Sequence, residues 1–471
     1  MDTILGFFHQ GASFIVPFII LLGVLIFVHE LGHFSVAKFF GIRVEVFSLG
    51  FGRKIFQKTW GDTTYCISVI PFGGYVKMYG DDLTAEIPED QKRYSFSHQP
   101  VLPRIAVVLA GPLMNAFFAI FLFSVIAGVG EEVLKSNLGD IYPGTQAYKA
   151  GFRTDDVIKA VNGNTVAKWD DVKKIIEESA AKPVHFTVQR GHDEVQIDVT
   201  PVSVVNKNIL SPQPQVGDID GLNYLSRAPA IGVSLIDSPA AKAGFKTADI
   251  VKAINGKDIL RWEELQADLT AAAAAGTKSV SLTVERDPGA KSLTLNLPID
   301  AKDPMGGIES SDLYLSSVMP KSAAADAGIL GGDKLVEING KSLTRWDDVV
   351  SSVQGYKESA GPLQVKYIRD GKTLTASIVP RILVQTDGSG VEQKNFAMGI
   401  VTGLVLAAPE TFVAREPGLV PAFKKGVDDM SHWTALTAIS FVKLAQGKVS
   451  SKSIGGPLMI GKLASETWRI G

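Results

Sequence analysis

The sequence predicts a multi-domain membrane protein: an α-helical transmembrane core with a membrane-reentrant β-region, followed by tandem α+β domains. Three observations carry this. Two apolar runs, 11–28 and 105–129, contain no ionisable side chain. Between them lies a β-rich stretch punctuated by Gly and Pro. From about residue 130, one short pattern recurs three times. The 46% hydrophobic content and mean hydropathy of +0.17 agree, and the apolar excess sits mainly before residue 130. A formal net charge of −2 with 20% charged residues gives no reason to expect nucleic acid as a partner. The lone Cys66 excludes an intrachain disulfide framework and reads as a small buried hydrophobe. Met1-Asp2 opens the chain without a basic n-region, and no small-x-small site follows the first apolar run, so that run reads as retained structure.

The first run spans 18 residues, roughly 27 Å as a helix against a ~30 Å hydrocarbon core. Its helical rhythm continues through Leu31, Phe34, Ala37 and Phe40 and so includes His29-Glu30-Leu31-Gly32-His33. Four residues apart on a helix, His29 and His33 project from one face. That spacing suits two ligands of one tetrahedral Zn²⁺, with Glu30 beside them as general base for water. Charged and ionisable side chains are costly in hydrocarbon, so a His/Glu cluster following 18 apolar residues implies function.

The second span, 105–129, carries Gly111-Pro112 and Asn115. Gly111 and Asn115 share a helical face, which predicts a close helix approach, whether for packing alone or beside an active site. The loop between the spans bears Lys38, Arg43, Arg53, Lys54, Lys58, Lys77, Lys92, Arg93 and Arg104. Positive-inside logic places it in the cytoplasm and everything after residue 129 on the other side. Within the loop, Gly50-Phe51-Gly52 and the runs 64–70 and 75–78 predict a small sheet dipping into the bilayer. An open strand edge there could accept an extended substrate.

Ala150-Gly151 leads twelve residues later to Asn162-Gly163 and six further on to Trp169. The same spacing joins Ala243-Gly244, Asn255-Gly256 and Trp262, and again Ala327-Gly328, Asn339-Gly340 and Trp346. Asp156, Asp249 and Asp333 match within the copies, and each copy predicts a helix and then a hairpin, at 184–199, 280–297 and 363–379. Repeat intervals of 93 and 84 residues are whole small domains rather than solenoid units. After a connector at 386–390, helical stretches at 420–430 and 432–444 predict interfacial helices before a further span.

The repeated core resembles bacterial PDZ domains, which implies extended peptides or free C-termini as ligands, with a passive spacer as the alternative. The membrane H-E-x-x-H, G-x-x-x-N, Gly-Phe-Gly, Pro71-Phe-Gly-Gly-Tyr-Val-Lys-Met78 and Ser453-Ile-Gly-Gly-Pro457 together resemble one family. It is the site-2 protease family of intramembrane zinc metalloproteases, in the branch of the regulator of sigma-E protease, RseP.

That resemblance implies Zn²⁺ on His29 and His33, Glu30 as catalytic base, and Gly111 and Asn115 beside the site. It implies that Gly50, Phe51, Gly52, Tyr75, Val76, Lys77 and Met78 handle substrate. The family's third ligand is an Asp in an apolar Leu-Asp-Gly motif. Here Asp-Gly occurs only at 220, 370 and 387, in polar surroundings, so the expectation is that this ligand lies on helices beyond the chain. Three PDZ-like copies also depart from the usual two.

The implied domains are 1–129 (reentrant β-loop about 43–80), PDZ-like domains at 130–205, 215–302 and 303–382, and a post-PDZ region at 383–471. The implied setting is a multi-pass protein of the bacterial cytoplasmic (inner) membrane with its PDZ-like domains in the periplasm. The implied partners are the lipid bilayer and single-span substrates of the anti-sigma-factor type. Alternatives are another membrane zincin completed by a downstream Glu, and a membrane-anchored PDZ scaffold without catalysis.

Overall fold

A computed structural model describes residues 2–447 apart from 83–85, 207, 209, 212, 287–288 and 387–391. The 453–457 segment and most of the 386–390 connector therefore lie outside the described residues. The chain forms two units, one of residues up to 131 with those from 413 onward, the other 132–412.

In the first unit, helix α1 (Asp2–Phe39) and helix α2 (Val101–Val129) are the apolar elements. Val16–Phe39 and Val101–Val129 are long and apolar enough to cross a membrane. Ile20, Leu113, Phe117 and Phe121 are more than half exposed on their surfaces, an apolar face suited to lipid. The two helices touch backbone to backbone, since a Cβ on Gly32 would fall 2.4 Å from the Ala110 carbonyl oxygen. A single helix, Leu419–Ala445, replaces the two expected interfacial stretches and buries Ala422 and Gly426. Small residues there let it lie along α2, and that packing carries the helix through its polar middle.

Strands β1 (Val44–Trp60) and β2 (Thr63–Met78) form more than a hairpin. Val46, Phe47, Ser48 and Leu49 each pair twice, once with 64–67 and once with 74–77. The effective strand order is thus 54–60, 63–68, 44–49, 74–78, antiparallel throughout. Gly50 makes the bend possible: its φ is +85°, and a Cβ there would fall 2.6 Å from the Ile70 carbonyl oxygen. The outer edge of 74–78 takes no strand among the described residues.

The second unit contains three separate hydrophobic cores. Each is built on a four-stranded antiparallel sheet, with strand order 164–165, 157–161, 184–190, 193–199 in the first copy. The order recurs at 257–258, 250–254, 279–285, 293–298 and at 341–342, 334–338, 363–369, 372–378. A longer helix packs on each, Trp169–Glu178, Trp262–Ala274 or Trp346–Gln354, beside a short one at Gln146–Ala150, Pro239–Lys242 or Ala323–Asp326. A closing strand follows each second hairpin. Gly139 and Asp140 donate to the carbonyls of Asn223 and Leu225, Ile231 pairs with Ser310, and Leu315 pairs with Thr402. The cores therefore end later than the repeat spacing implied, because these closing strands are too short to show as apolar periodicity.

The repeated residues form one bonded assembly in each copy. Asn162, Asn255 and Asn339 take φ of 49°, 49° and 51° with Gly next, the turn that Asn-Gly favours. Their side-chain oxygens accept from the amides of His185, Ser281 and Gln364. Asp156, Asp249 and Asp333 are fully buried and accept paired hydrogen bonds from Arg190, Arg286 and Arg369 at 2.6–2.9 Å. Each Arg also donates to the carbonyl of the repeat glycine, Gly151, Gly244 or Gly328. Removing the acid strands a half-buried guanidinium. Asp333→Ala is expected to cost about 3 kcal/mol, read as lost hydrogen-exchange protection in 334–338 and 363–369 with 157–161 unchanged.

One arginine joins all three copies. Arg227 donates its Nε and main-chain N–H to Asp140, both at 2.9 Å, and Nη2 to Glu263 at 2.6 Å. Its Nη1 lies 3.5 Å from Asp312, and its guanidinium lies over the Tyr142 ring. Three largely buried carboxylates thus share one cation. Burial, and then Asp140 beside it, pushes the Glu263 carboxyl from an ordinary 4.5 up to about 7. An acid raised in the folded state favours the protonated form there. The junction keeps its full stability below about pH 4.5 and loses it as pH rises through about 7. The protection factor of the Arg227 amide is expected to fall between pH 5 and 8, roughly tenfold or more, and Glu263→Gln is expected to remove the dependence.

Candidate active site

The helical spacing of α1 places His29 directly one turn from His33, with Glu30 between them in sequence, and α2 supplies the facing wall. Val107, Gly111 and Asn115 recur every fourth residue, so they form one stripe of α2 toward the histidines. His33 Nδ1 lies 2.7 Å from the Val107 carbonyl oxygen. A carbonyl can only accept, so Nδ1 carries the proton and Nε2 presents a bare lone pair. His29 Nε2 is 3.2 Å from that nitrogen, with the rings edge to face at 79°. Asn115 Nδ2 lies 3.4 Å from His29 Nδ1.

Two nitrogens bound tetrahedrally at Zn–N of 2.0–2.1 Å stand about 3.3 Å apart. The two Nε2 atoms already have that separation. Gly111 keeps the space open: a Cβ there would fall 2.4 Å from His33 Nε2 and 2.7 Å from His29 Nε2. The donor set and the cradle therefore fit a zinc ion, of which the two imidazoles would be two ligands. Among the described residues, no group of three His, Cys, Asp or Glu is placed to hold a metal. The expected third ligand thus has no counterpart there.

The 74–78 strand passes along the other side of the motif. A Cβ on Gly74 would fall 3.1 Å from Glu30 Cγ and 2.8 Å from Ile26, and the Val76 main chain lies beside the Glu30 carboxylate. Phe51 stacks on Tyr75 with centroids 6.2 Å apart and ring planes within 4°. Gly50 lines an apolar cavity of about 380 Å³ with Ile19, Val24, Phe27, Leu49 and Pro71. Among the residues picked out from sequence, His29, Glu30, His33, Gly111, Asn115 and Val76 converge. Lys77 instead pairs with Glu45 at 2.8 Å, and Met78 packs on the small core of Ala37, Ile42, Val44 and Val107. Sequence reading gave no role to Gly74, although it stands in the Pro71–Met78 motif, and missed the Val107 carbonyl, which as a main-chain group leaves no residue signature.

The model of peptidase family M50 matches residues 17–471. The chain belongs to peptidase family M50. Its relatives in that family include the regulator of sigma-E protease RseP of Escherichia coli K12, 28% identical over 99% of this chain and 83% of that relative. The RseP of Salmonella typhimurium 14028s is 28% identical over 96% of this chain and 81% of its own length. Protease RseP of Yersinia pestis is 28% identical, with 94% and 79% covered. These near full-length likenesses place this M50 chain in the RseP branch.

Gly111→Ala puts a methyl group where the two Nε2 atoms converge. Zinc retained per purified chain is expected to fall at least tenfold, with helix content by circular dichroism unchanged. Stoichiometric zinc in that variant would show that the cradle does not matter.

Proposed function

We propose that the protein is an intramembrane zinc metallopeptidase that hydrolyses peptide bonds within or near the transmembrane segment of single-span proteins. The observation that carries this is the pair of Nε2 atoms at zinc-ligand separation on an apolar helix, with Glu30 between the two histidines in sequence and beside an open strand edge. Zinc bound by His29 and His33 would supply Lewis-acid polarisation of the scissile carbonyl and acidify water. Glu30 takes the proton from the attacking water and returns it to the leaving nitrogen.

A transmembrane helix hides its carbonyls in its own hydrogen bonds, so the substrate must unwind locally. Unwound backbone in hydrocarbon needs new partners. The free edge of 74–78 provides them by strand addition, alongside Glu30. The apolar cavity beside Gly50 gives a substrate side chain somewhere to go. The basic loop sets the orientation: cytoplasmic for the loop and extracytoplasmic for the array, in a bacterial inner membrane. Family likeness directs the choice of substrate to anti-sigma factors already trimmed by another protease. The PDZ-like array then gates access by excluding bulky ectodomains or by holding peptide ends.

In proteoliposomes with a tagged, trimmed single-span substrate, Glu30→Gln is expected to lower the cleavage rate by about 10²–10⁴ with zinc content retained. Undiminished cleavage would remove Glu30 from its role as base. In the same assay, a chain lacking 132–412 is expected to accept the untrimmed substrate, and continued rejection would remove the gate.

A further inference from the structure

The two outer rims of the small sheet differ in charge. On the 74–78 rim, Lys77 is neutralised by Glu45 at 2.8 Å. The 54–60 rim is uncompensated. Residues 46–80 contain one acid, Asp62, and Lys38 already pairs with it. Among the described residues, Arg53, Lys54 and Lys58 enter no ion pair or hydrogen bond through their side chains. These cations are interleaved with large apolar groups. All ten residues from Phe51 to Trp60 are exposed, Ile55 at 69%, Phe56 at 56% and Trp60 at 79%. An ordinary antiparallel strand buries one of its two faces; this one buries neither. Its outer edge also carries main-chain N–H groups that no strand pairs among the described residues.

Contacts with α1 set the level of this rim. Lys58 stands opposite Tyr65, whose ring lies 6.0 Å from Phe34, beyond the charge-free run 11–28. Lys54 stands opposite Ser68, which shares the apolar cavity with Phe27, in the last turn of that run. At the other end of the hairpin, the Phe72 ring lies 6.2 Å from that of Phe18, well inside the run. The hairpin thus passes from apolar depth to the level where α1 becomes polar, and the cations reach that level along their own flexible stems. Wholly in hydrocarbon, the open N–H groups and three cations would be costly. Wholly in water, the exposed apolar groups would be. A layer of phosphate oxygens above acyl chains satisfies both.

We infer that the 53–60 rim is a binding surface for anionic phospholipid. Arg53, Lys54, Lys58 and the open N–H groups take the headgroup phosphates, and Ile55, Phe56 and Trp60 enter the upper acyl chains. The uncompensated charge selects an anionic headgroup over a zwitterionic one, and the basic loop puts this lipid in the cytoplasmic leaflet. Anchored on this side, the sheet is held at a fixed depth with its opposite rim alongside Glu30. The inference rests on the membrane placement of the first unit and is independent of the zinc and peptidase readings.

The test reconstitutes the full chain in phosphatidylcholine nanodiscs that contain, at equal mole fraction, either brominated phosphatidylglycerol or brominated phosphatidylcholine. Bromine quenches tryptophan on contact, and subtracting the signal of Trp60→Phe isolates that of Trp60. Wild type is expected to be quenched more strongly by brominated phosphatidylglycerol. Arg53→Gln, Lys54→Gln and Lys58→Gln are each expected to raise the mole fraction for half-maximal quenching about fivefold. Lys54→Arg and Lys58→Arg are expected to keep the preference, which separates lost charge from a damaged fold. Equal quenching of wild type by the two lipids, or an undiminished preference in all three Gln variants, would overturn the anionic assignment. Quenching by neither lipid would take the rim out of the bilayer and leave it as a protein-docking face. Loss of the preference on adding inorganic phosphate at constant ionic strength would assign the cations to a soluble phosphate instead.

Discussion

Two helices that meet without side chains between them create the conditions for everything at the site. At Gly32 the backbone of α1 lies against the Ala110 carbonyl, and at Gly111 α2 comes close enough to face both Nε2 atoms. Had either position carried a larger residue, the helices would stand apart. The Val107 carbonyl could then not reach His33, nor Asn115 reach His29. In an apolar setting, an imidazole without those partners would carry an unpaid desolvation cost. Close packing therefore does two things: it makes room for a metal, and it satisfies the polar atoms that would otherwise make the room untenable.

The β-region shows the same dependence of function on backbone satisfaction. Residues 46–49 pair on both sides, so the interior of the small sheet has its hydrogen bonds met. The sheet has two outer rims, 54–60 and 74–78, that take no further strand among the described residues, and the 74–78 rim runs past Glu30. An exposed edge is a liability in most proteins. Here the 74–78 edge lies alongside Glu30.

The second unit solves a separate problem, holding three small domains together through polar contacts. Within each copy the buried Asp–Arg pair ties the repeat glycine to the central strand. Between copies, Arg227 gathers Asp140, Glu263 and Asp312. A charge network at such a junction fixes mutual orientation more firmly than it adds stability, because desolvation consumes much of the Coulombic gain. It also makes the junction sensitive to protons, which an apolar interface would not be.

Periodicity and local turn chemistry were legible in the sequence: both apolar helices, the three copies, their hairpins and Asn-Gly turns, and the shared helical face of His29 and His33. These depend on neighbours in the chain, so composition and spacing suffice to reveal them. The helical character of 420–430 and 432–444 was legible too, whereas the double pairing of 46–49, the closing strands at 220–225 and 398–402 and the Arg227 junction were not. Each joins residues far apart in sequence, and the short segments involved carry no periodic signature. His29-Glu30-Leu31-Gly32-His33 alone determined which residue types could bind a metal and act as a base. Which ring nitrogen is free, and what space lies between the rings, was decided only when α2 came to rest against α1, because the tautomer follows from a main-chain carbonyl and the cavity from an absent side chain.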